Sequence, residues 1–233
     1  DIAVHSLKDI PTEIPKQISI TAILKRDSPY DSLVYSKTFK KFSHKSIIGT
    51  GSLRRKAQWL RKYPNHKTEE LRGNIDTRIK KLNTSFWDAA IFSKAGIDRL
   101  KIKNIDYKIL EWMIPSPGQG AIAICSQKQQ LELTKFLNNL NCEKTEMCVK
   151  IERDFINILE GGCKAPIASY AKIENDKIIF KSGLFSLDGS TAMIEKEELD
   201  INKSKDCGIN AAKKIFNKGG KELINKIKNE LNQ

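Results

Sequence analysis

The 233-residue chain has few histidines and aromatic residues, no long hydrophobic run and no C-x-x-C pair. Its three histidines are not paired at metal-ligand spacing, so we expect no metal site. No apolar run approaches the length of a membrane span, so we expect no membrane partner. An odd set of cysteines without a C-x-x-C pair favours a reducing compartment over a disulfide framework; they are Cys125, Cys142, Cys148, Cys163 and Cys207.

The formal net charge of +13 favours anionic partners, and nucleic acid is the first candidate. However, much of the excess is lysine scattered among asparagine and isoleucine, which is typical of a solvated surface. A nucleic-acid footprint would combine clustered arginine with interleaved aromatic residues, and aromatics are only 7% of the chain. The arginines do cluster, but in motifs that suit small carboxylates at least as well.

The order of predicted elements indicates an α/β protein with two or three compact domains. Between residues 46 and 100, apolar strands alternate with helices, which predicts a parallel sheet. Residues 115–120 contain two prolines and two glycines and suit a crossing between domains. An amphipathic helix over 145–159, three alternating strands with a hairpin turn at 187–190, and two basic helices then predict a small α+β domain with an antiparallel sheet.

Asp9 lies in a polar loop that follows the first predicted strand, residues 2–4. Ligands of open α/β sheets gather at the carboxyl ends of strands. The plain structural interpretation of Asp9 is a turn or cap before Pro11, which is a common use of aspartate. The functional interpretation is a carboxylate at the mouth of a cleft, which neighbouring Lys8 helps to keep ionised.

Two predicted helices begin with arginines close to a glycine turn. The first begins after Ser52, and Asp76 or Thr77 can cap the second. Free N–H groups at a helix start attract anions, and a guanidinium binds carboxylate or phosphate bidentately. The arginines are Arg54, Arg55, Arg72 and Arg78. One such start is more often a solvated helix end, but two in one domain favour an anion site.

Cys163 lies in a turn that side chains cannot crowd. Gly161 and Gly162 stop the predicted helix over 145–159, and Pro166 prevents its resumption. A helix stop with an incidental cysteine is the plain interpretation, whereas a displayed thiol can meet a bulky partner. On the polar side of the same helix we expect three exposed or cleft-facing residues: Glu152, Arg153 and Asp154.

One displayed cysteine, one loop aspartate and at least four arginines at helix starts suit a polyanionic organic substrate that is handled by a single carboxylate. Five stretches closely resemble motifs of the porphobilinogen deaminase (hydroxymethylbilane synthase) family, in the family's order and spacing. They are VHSLKDIP at 4–11, GTGSLRR at 49–55, LRGNIDTR at 71–78, PGQGA at 117–121 and LEGGCKAPI at 159–167. The resemblance covers essentially the whole chain.

The resemblance implies an α/β fold with two domains like type II periplasmic binding proteins, the first incomplete, and a small C-terminal α+β domain with an antiparallel sheet. The implied bounds are 1–24 with 121–140, then 25–120, then 141–233. It also implies a cytoplasmic monomer with no nucleic-acid, membrane or metal partner. The implied enzyme is a transferase of heme and tetrapyrrole biosynthesis that deaminates porphobilinogen and joins four molecules head to tail into hydroxymethylbilane.

The resemblance also implies the roles of individual residues. Cys163 forms a thioether to a dipyrromethane cofactor on which the chain of pyrroles grows. Asp9 is the catalytic carboxylate, which stabilises the cationic azafulvene left when ammonia departs from the substrate. The implied cofactor-binding residues are Ser6, Lys8, Thr50, Ser52, Arg54, Arg55, Arg72, Arg78 and Arg153. The implied substrate-binding residues are Arg72, Arg78 and Arg99.

Two departures from the family pattern change the expectations. Gly51 replaces a frequent serine, which removes a hydroxyl but leaves the N–H groups. The chain begins inside an apolar strand, so we expect an N-terminally incomplete first domain with weak or absent turnover. Two alternatives have no role for Cys163 or Asp9: a non-catalytic anion-binding module of the periplasmic-binding-protein type, and a nucleic-acid binder whose affinity falls steeply with salt.

Overall fold

A computed structural model describes residues 1–160 and 165–232 of the chain. Cys163 and the two glycines before it therefore lie outside the described residues. Within them, strands and helices follow in the order β1 (Ile2–Ser6), β2 (Ile18–Ile23), β3 (Asp31–Tyr35), β4 (Ile47–Gly49), α1 (Leu53–Lys62), β5 (Lys67–Glu69), α2 (Ile75–Thr84), β6 (Ala89–Ser93), α3 (Lys94–Arg99), β7 (Tyr107–Ile109), β8 (Ile122–Gln127), α4 (Leu131–Asn138), α5 (Glu143–Glu160), β9 (Ile167–Glu174), β10 (Lys177–Phe185), β11 (Ala192–Asp200), α6 (Cys207–Ile215) and α7 (Lys221–Leu231).

The first sheet has the order β1-β8-β2, and β8 pairs antiparallel with both neighbours. Leu7, directly after β1, is fully buried against Ala121 and Ala123 on one face of this sheet. Helix α4 packs Leu137 against Ala22 on the other face. α4 begins only at Leu131, because β8 runs to Gln127 and residues 128–130 turn the chain.

The second sheet has the order β5-β4-β6-β3-β7; its strands within residues 46–100 pair in parallel, as predicted, while the sheet as a whole is mixed. β4 is parallel to β5 and β6, as the alternation of strands and helices requires. β3 is antiparallel to β6 and β7. The reason is that β3 arrives from the first sheet without a helical crossover, so nothing in its connection enforces a parallel orientation.

The third sheet, β11-β10-β9, is antiparallel and packs against α5, α6 and α7, which confirms the predicted α+β tail. Phe155 of α5 contacts Phe180 of β10 edge-on, with ring centroids 5.8 Å apart. The predicted hairpin turn holds Gly189 at φ +75°, and a Cβ there would lie 2.1 Å from the carbonyl oxygen of Ala57 in α1. This sheet therefore sits directly on the helix that carries Arg54 and Arg55.

Glu152 is fully buried, so the prediction that it is exposed or cleft-facing is wrong. Its carboxylate accepts two hydrogen bonds from Arg26, at 2.6 and 3.1 Å. It also accepts the N–H of Gly118 at 2.7 Å and the N–H of Ala171 at 2.8 Å. The polar position on α5 thus faces an arginine of the segment between β2 and β3 rather than water.

No helix in the described ranges has the length and apolar character needed to cross a membrane.

Candidate active site

A cleft of about 260 Å³ brings together residues that follow β1, residues at the starts of α1 and α2, and residues of the segment before β8. It is lined by Lys8, Asp9, Gly51, Ser52, Arg54, Arg55, Leu71, Arg72, Arg78, Ser116 and Gln119. Seven of the predicted site residues meet here, although they come from three separate stretches of the chain. The cleft is therefore strongly cationic, and Asp9 is the carboxylate at its edge.

The Asp9 loop is held close to the first sheet by its apolar neighbour. Leu7–Asp9 forms one turn of 3-10 helix directly after β1. The Leu7 N–H donates to the carbonyl oxygen of Ala121 at 3.0 Å. Gly118, at φ +70°, approaches Leu7 so closely that a Cβ there would lie 3.0 Å from the Leu7 Cγ. These contacts anchor Leu7. Asp9, two residues later, is exposed at the rim of the cleft.

Lys8 lines the same cleft. Removal of the ammonium from water lowers the pKa of Lys8 below its ordinary value, and the positive charge of Arg55 lowers it further. The carboxylate of Asp9 opposes both effects. Lys8 and Asp9 are thus electrostatically coupled neighbours.

Arg54 and Arg55 lie in the first turn of α1 and are both buried, at 6% exposure. The Ser52 hydroxyl caps this helix by accepting the Arg55 N–H at 3.4 Å. Arg54 Nη1 lies 2.7 Å from Asp31 Oδ2, and Arg55 Nη2 lies 2.8 Å from Asp31 Oδ1. A single buried carboxylate therefore holds both guanidinium groups.

Asp31 and Gln119 are the functional neighbours that sequence reasoning missed. Asp31 is fully buried, which alone would raise its pKa. The charges of Arg54 and Arg55 outweigh this effect, and hydrogen bonds from Arg54 and Gln119 add to them, so the pKa of Asp31 falls to about 2. The signal in the sequence was an aspartate at the start of a strand whose next residues include the apolar pair Leu33 and Val34.

We expect Asp31 to contribute a distinct acid dependence of stability. Its pKa is lowered in the folded protein, so its contribution is present above the unfolded pKa of about 4 and is lost as the pH falls towards 2. Between pH 5 and pH 3, wild-type protein should lose about 1 kcal/mol more of its unfolding free energy than Asp31→Asn. Urea titrations at both pH values measure this, with exposed Asp98→Asn as the control. Equal losses in wild type and Asp31→Asn would contradict the assignment.

Arg72 and Arg78 flank the start of α2. The prediction that Asp76 or Thr77 caps this helix is wrong, because Asn74 Oδ1 accepts the Thr77 N–H at 2.8 Å. Arg72 is 84% exposed and pairs with Glu70 at 2.6 Å. Within the described residues, the Nε of Arg78 is buried without a hydrogen-bond partner.

Ser6 and Thr50 shape the loops beside the cleft without lining it. Ser6 is the last residue of β1, directly before the Asp9 turn. Thr50 is buried, and its hydroxyl accepts the Ser52 N–H at 3.3 Å. Next to it, a Cβ at Gly51 would lie 2.8 Å from the carbonyl oxygen of Leu71. A side chain at position 51 would therefore require this carbonyl to shift.

Arg99 and Arg153 also lie outside the lining of the cleft. Arg99 is the last residue of α3, pairs with Asp27 at 2.8 Å and donates to the carbonyl oxygen of Gly120 at 3.0 Å. Arg153, in α5, donates to carbonyl oxygens of residues 10–12. Their roles in binding substrate and cofactor stay predictions.

The four cysteines in the described ranges are free thiols. Burial raises the pKa of Cys148 and of Cys207 to about 11, which makes these thiols poor nucleophiles. Hydrogen bonding with Thr145 lowers the pKa of Cys142. No group of three or more His, Cys, Asp or Glu side chains in the described part of the chain is placed to hold a metal ion.

Comparison with known proteins decides the family. Residues 1–135 match the model "Porphobilinogen deaminase, dipyromethane cofactor binding domain", and residues 146–217 match "Porphobilinogen deaminase, C-terminal domain". The chain belongs to the porphobilinogen deaminase family. The porphobilinogen deaminase of Desulforamulus reducens is 35% identical, with 98% of this chain and 75% of the relative covered. The porphobilinogen deaminase of Geobacillus sp. (strain WCH70) is 38% identical, with coverages of 100% and 76%.

One solved structure comes from a study of glutathione import by Streptococcus mutans via GshT and the cystine importer TcyBC. It is 17% identical to this chain, with 51% of this chain and 54% of that chain covered. Its TM-score of 0.32 is too low to indicate a shared fold.

As a porphobilinogen deaminase, the chain is a transferase of porphyrin and heme biosynthesis. Its reaction polymerises porphobilinogen into hydroxymethylbilane, and its cofactor is dipyrromethane. The mixed α/β architecture with several sheets agrees with this family.

Proposed function

We propose that the cleft between Asp9 and the arginines of α1 and α2 is where this porphobilinogen deaminase binds and deaminates its substrate. The observation that carries the proposal is the meeting of one rim carboxylate with Lys8, Arg72 and Arg78 around one cavity. Porphobilinogen has acetate and propionate arms that need cationic partners, and an aminomethyl group whose departure leaves positive charge. The cleft offers both kinds of partner within one volume.

The two arginines of α2 are suited to bind the carboxylate arms. Arg78 has a buried Nε without a partner in the described residues, and an unsatisfied donor of this kind favours an incoming anion. The pair between Arg72 and Glu70 is exposed and therefore weakly held, because water screens it. A substrate carboxylate can replace Glu70 at little cost, with two parallel hydrogen bonds from the guanidinium.

The two buried arginines of α1, Arg54 and Arg55, supply a fixed positive charge beside the cleft. Asp31 neutralises one of the two charges, so Arg54 and Arg55 together present a net charge of about +1 to the cleft. Arg54 Nη2 is only loosely held, at 3.5 Å from Gln119 Oε1, and is the donor of this pair that can turn towards a ligand. Because the pair is already ordered, little reorganisation is needed when an anion binds.

Asp9 can act on the substrate in two ways. Its negative charge stabilises the cation that develops when ammonia leaves the aminomethyl carbon. Its carboxylate oxygens can also accept and return a proton at the pyrrole nitrogen.

The donor set also fits dipyrromethane, whose arms are carboxylates like those of the substrate. We propose that Cys163 holds this cofactor by a thioether, with Lys8, Ser52 and the cleft arginines as carboxylate partners. When bound, dipyrromethane supplies the free pyrrole carbon to which substrate is added. Cys163 lies outside the described residues, and the support is its position three residues after the end of α5.

The proposed domain division is 1–24 with 121–140, 25–120, and 141–233, with the first two domains of the type II periplasmic-binding-protein kind. It is supported by three separate sheets, one in each segment, and by separate apolar clusters against them. We also propose a monomer that works in the cytoplasm, which agrees with free thiols at the four described cysteines.

Intact mass under denaturing conditions tests the proposed attachment. After incubation with porphobilinogen, wild-type protein should carry an excess equal to two linked pyrrole units, because a thioether survives denaturation. Cys163→Ser should lose this excess, whereas the control Cys142→Ser should keep it. An unmodified wild-type mass, or an excess that persists in Cys163→Ser, would overturn the assignment of Cys163.

A further inference from the structure

Arg153 binds the backbone of the loop that follows Asp9. Its Nη1 donates to the carbonyl oxygen of Ile10 at 3.1 Å. Its Nη2 donates to the carbonyl oxygen of Pro11 at 2.6 Å and lies 3.4 Å from that of Thr12. Three consecutive carbonyl groups therefore converge on one guanidinium, a planar group whose several N–H donors suit such a cluster.

The loop is attached through its carbonyl groups as well as through the buried side chain of Ile10. Pro11 has no N–H, so this residue can bind the rest of the protein only through its oxygen and its ring. On the other side of Asp9, the chain is attached through Leu7, which is buried and donates to Ala121. After Asp9, Ile10 is buried in the same apolar cluster and its N–H donates to the carbonyl oxygen of Leu7 at 3.1 Å, and Arg153 adds a polar attachment through the carbonyl groups.

We propose that Arg153 is a positioning residue that fixes the Asp9 carboxylate at the rim of the cleft. The inference rests on the proposed catalytic role of Asp9. With Arg153 in place, the backbone on both sides of Asp9 is fixed, so the carboxylate meets the substrate without first having to be ordered. Without it, Leu7 and Ile10 still hold the loop against the first sheet, but the carbonyl groups of residues 10–12 lose the guanidinium that binds them.

α5 connects this positioning contact with the rest of the molecule. Glu152, the residue before Arg153, is fully buried and bonded to Arg26, so the helix cannot rotate to withdraw Arg153 from the loop. The same helix ends at Glu160, shortly before Cys163. One helix therefore holds the loop with Asp9 and ends three residues before the proposed cofactor cysteine in the sequence.

The test compares Arg153→Met with Arg153→Lys. Methionine keeps the apolar stem and loses every donor, so kcat for ammonia release should fall by about 100-fold while KM for porphobilinogen stays within about twofold. Backbone N–H groups of Asp9, Ile10 and Thr12 should exchange faster with deuterium than in wild type. Lysine retains charge and donors and should restore part of kcat. Lys150→Met, one turn earlier on α5 and 63% exposed, is the matched control and should behave like wild type.

Asp9→Asn in the same series separates the two proposals. If Asp9→Asn keeps wild-type kcat, the proposed role of Asp9 fails. If Asp9→Asn loses turnover while both Arg153 variants keep kcat, only the positioning role fails. A rise in KM with unchanged kcat, or loss of the cofactor mass in Arg153→Lys, would instead assign Arg153 to ligand binding and overturn the inference. Deuterium exchange in the folded Arg153→Lys variant decides the case in which Arg153→Met does not fold.

Discussion

Glu152→Gln is expected to lower the free energy of unfolding by about 3–5 kcal/mol, which is the cost of removing one charged partner from a buried ion pair. Each oxygen of the Glu152 carboxylate accepts one hydrogen bond from Arg26 and one from a backbone N–H, either of Gly118 or of Ala171. A glutamine amide turns one acceptor into a donor that faces two other donors. It also leaves the buried guanidinium without a counter-charge.

The contacts of Glu152 join three parts of the fold, which is why the loss should be global. Arg26 belongs to the segment between the first and second sheets, Gly118 to the segment before β8, and Ala171 to β9 of the third sheet. Replacing both charged partners by leucine should recover little. The N–H groups of Gly118 and Ala171 would still be buried without an acceptor.

Urea unfolding and thermal melting measure the effect, and Tm should fall by about 10 °C for a chain of this size. The control is Glu174→Gln, which removes an exposed carboxylate that pairs with Lys172 at 2.6 Å and should change stability by less than about 1 kcal/mol. A Glu152→Gln protein as stable as this control would contradict the role assigned to the buried pair.

The features that local sequence patterns predict well are those with a local physical cause. The hairpin turn at Gly189 needs positive φ, and glycine supplies it. The apolar periodicity of α5 and the alternation in β9–β11 arise because each element buries one face, so the third sheet and its helices are confirmed. The helix start at Ser52 likewise follows from its own side chain.

The errors and omissions have a non-local cause. Glu152 and Asp31 are polar residues in amphipathic or strand-forming stretches, and such a pattern does not distinguish water from a buried cation as the partner. The partner of Glu152 is Arg26, far away in the chain, and the partners of Asp31 lie on a different element. A pairing of this kind exists only once the sheets are assembled.

In the candidate site, too, local patterns predicted some features and non-local contacts determined the others. Glycine turns and arginines at helix starts predicted an anion site, which stays a prediction, and seven of the predicted site residues line one cleft. Arg153 was assigned to the same site by resemblance, yet its position on α5 directs it to the carbonyl groups beyond Asp9. Which side of a helix faces a loop from another sheet cannot be deduced from the helix alone.

Asp9→Asn is expected to reduce kcat for ammonia release from porphobilinogen by about 10²- to 10⁴-fold, the range for loss of a group that moves protons and stabilises charge. Asparagine keeps the size and hydrogen-bonding geometry of the side chain but removes its negative charge. The developing cation would then meet Lys8 and the arginines without the carboxylate that offsets them. The loss should be confined to the transition state, so kcat should fall far more than the affinity for substrate.

Steady-state ammonia release at several substrate concentrations separates kcat from KM. Asp98→Asn, an exposed aspartate on α3 that pairs with Lys94, is the matched control and should keep wild-type kinetics. Asp9→Glu should retain part of the rate, because it restores the charge but places it about one methylene further into the cleft. If Asp9→Asn raised KM and left kcat unchanged, Asp9 would be a binding residue and not the group that stabilises the cation. The cation would then need a stabilising group from outside this lining, because the other charged side chains that line the cleft in the described ranges are cationic.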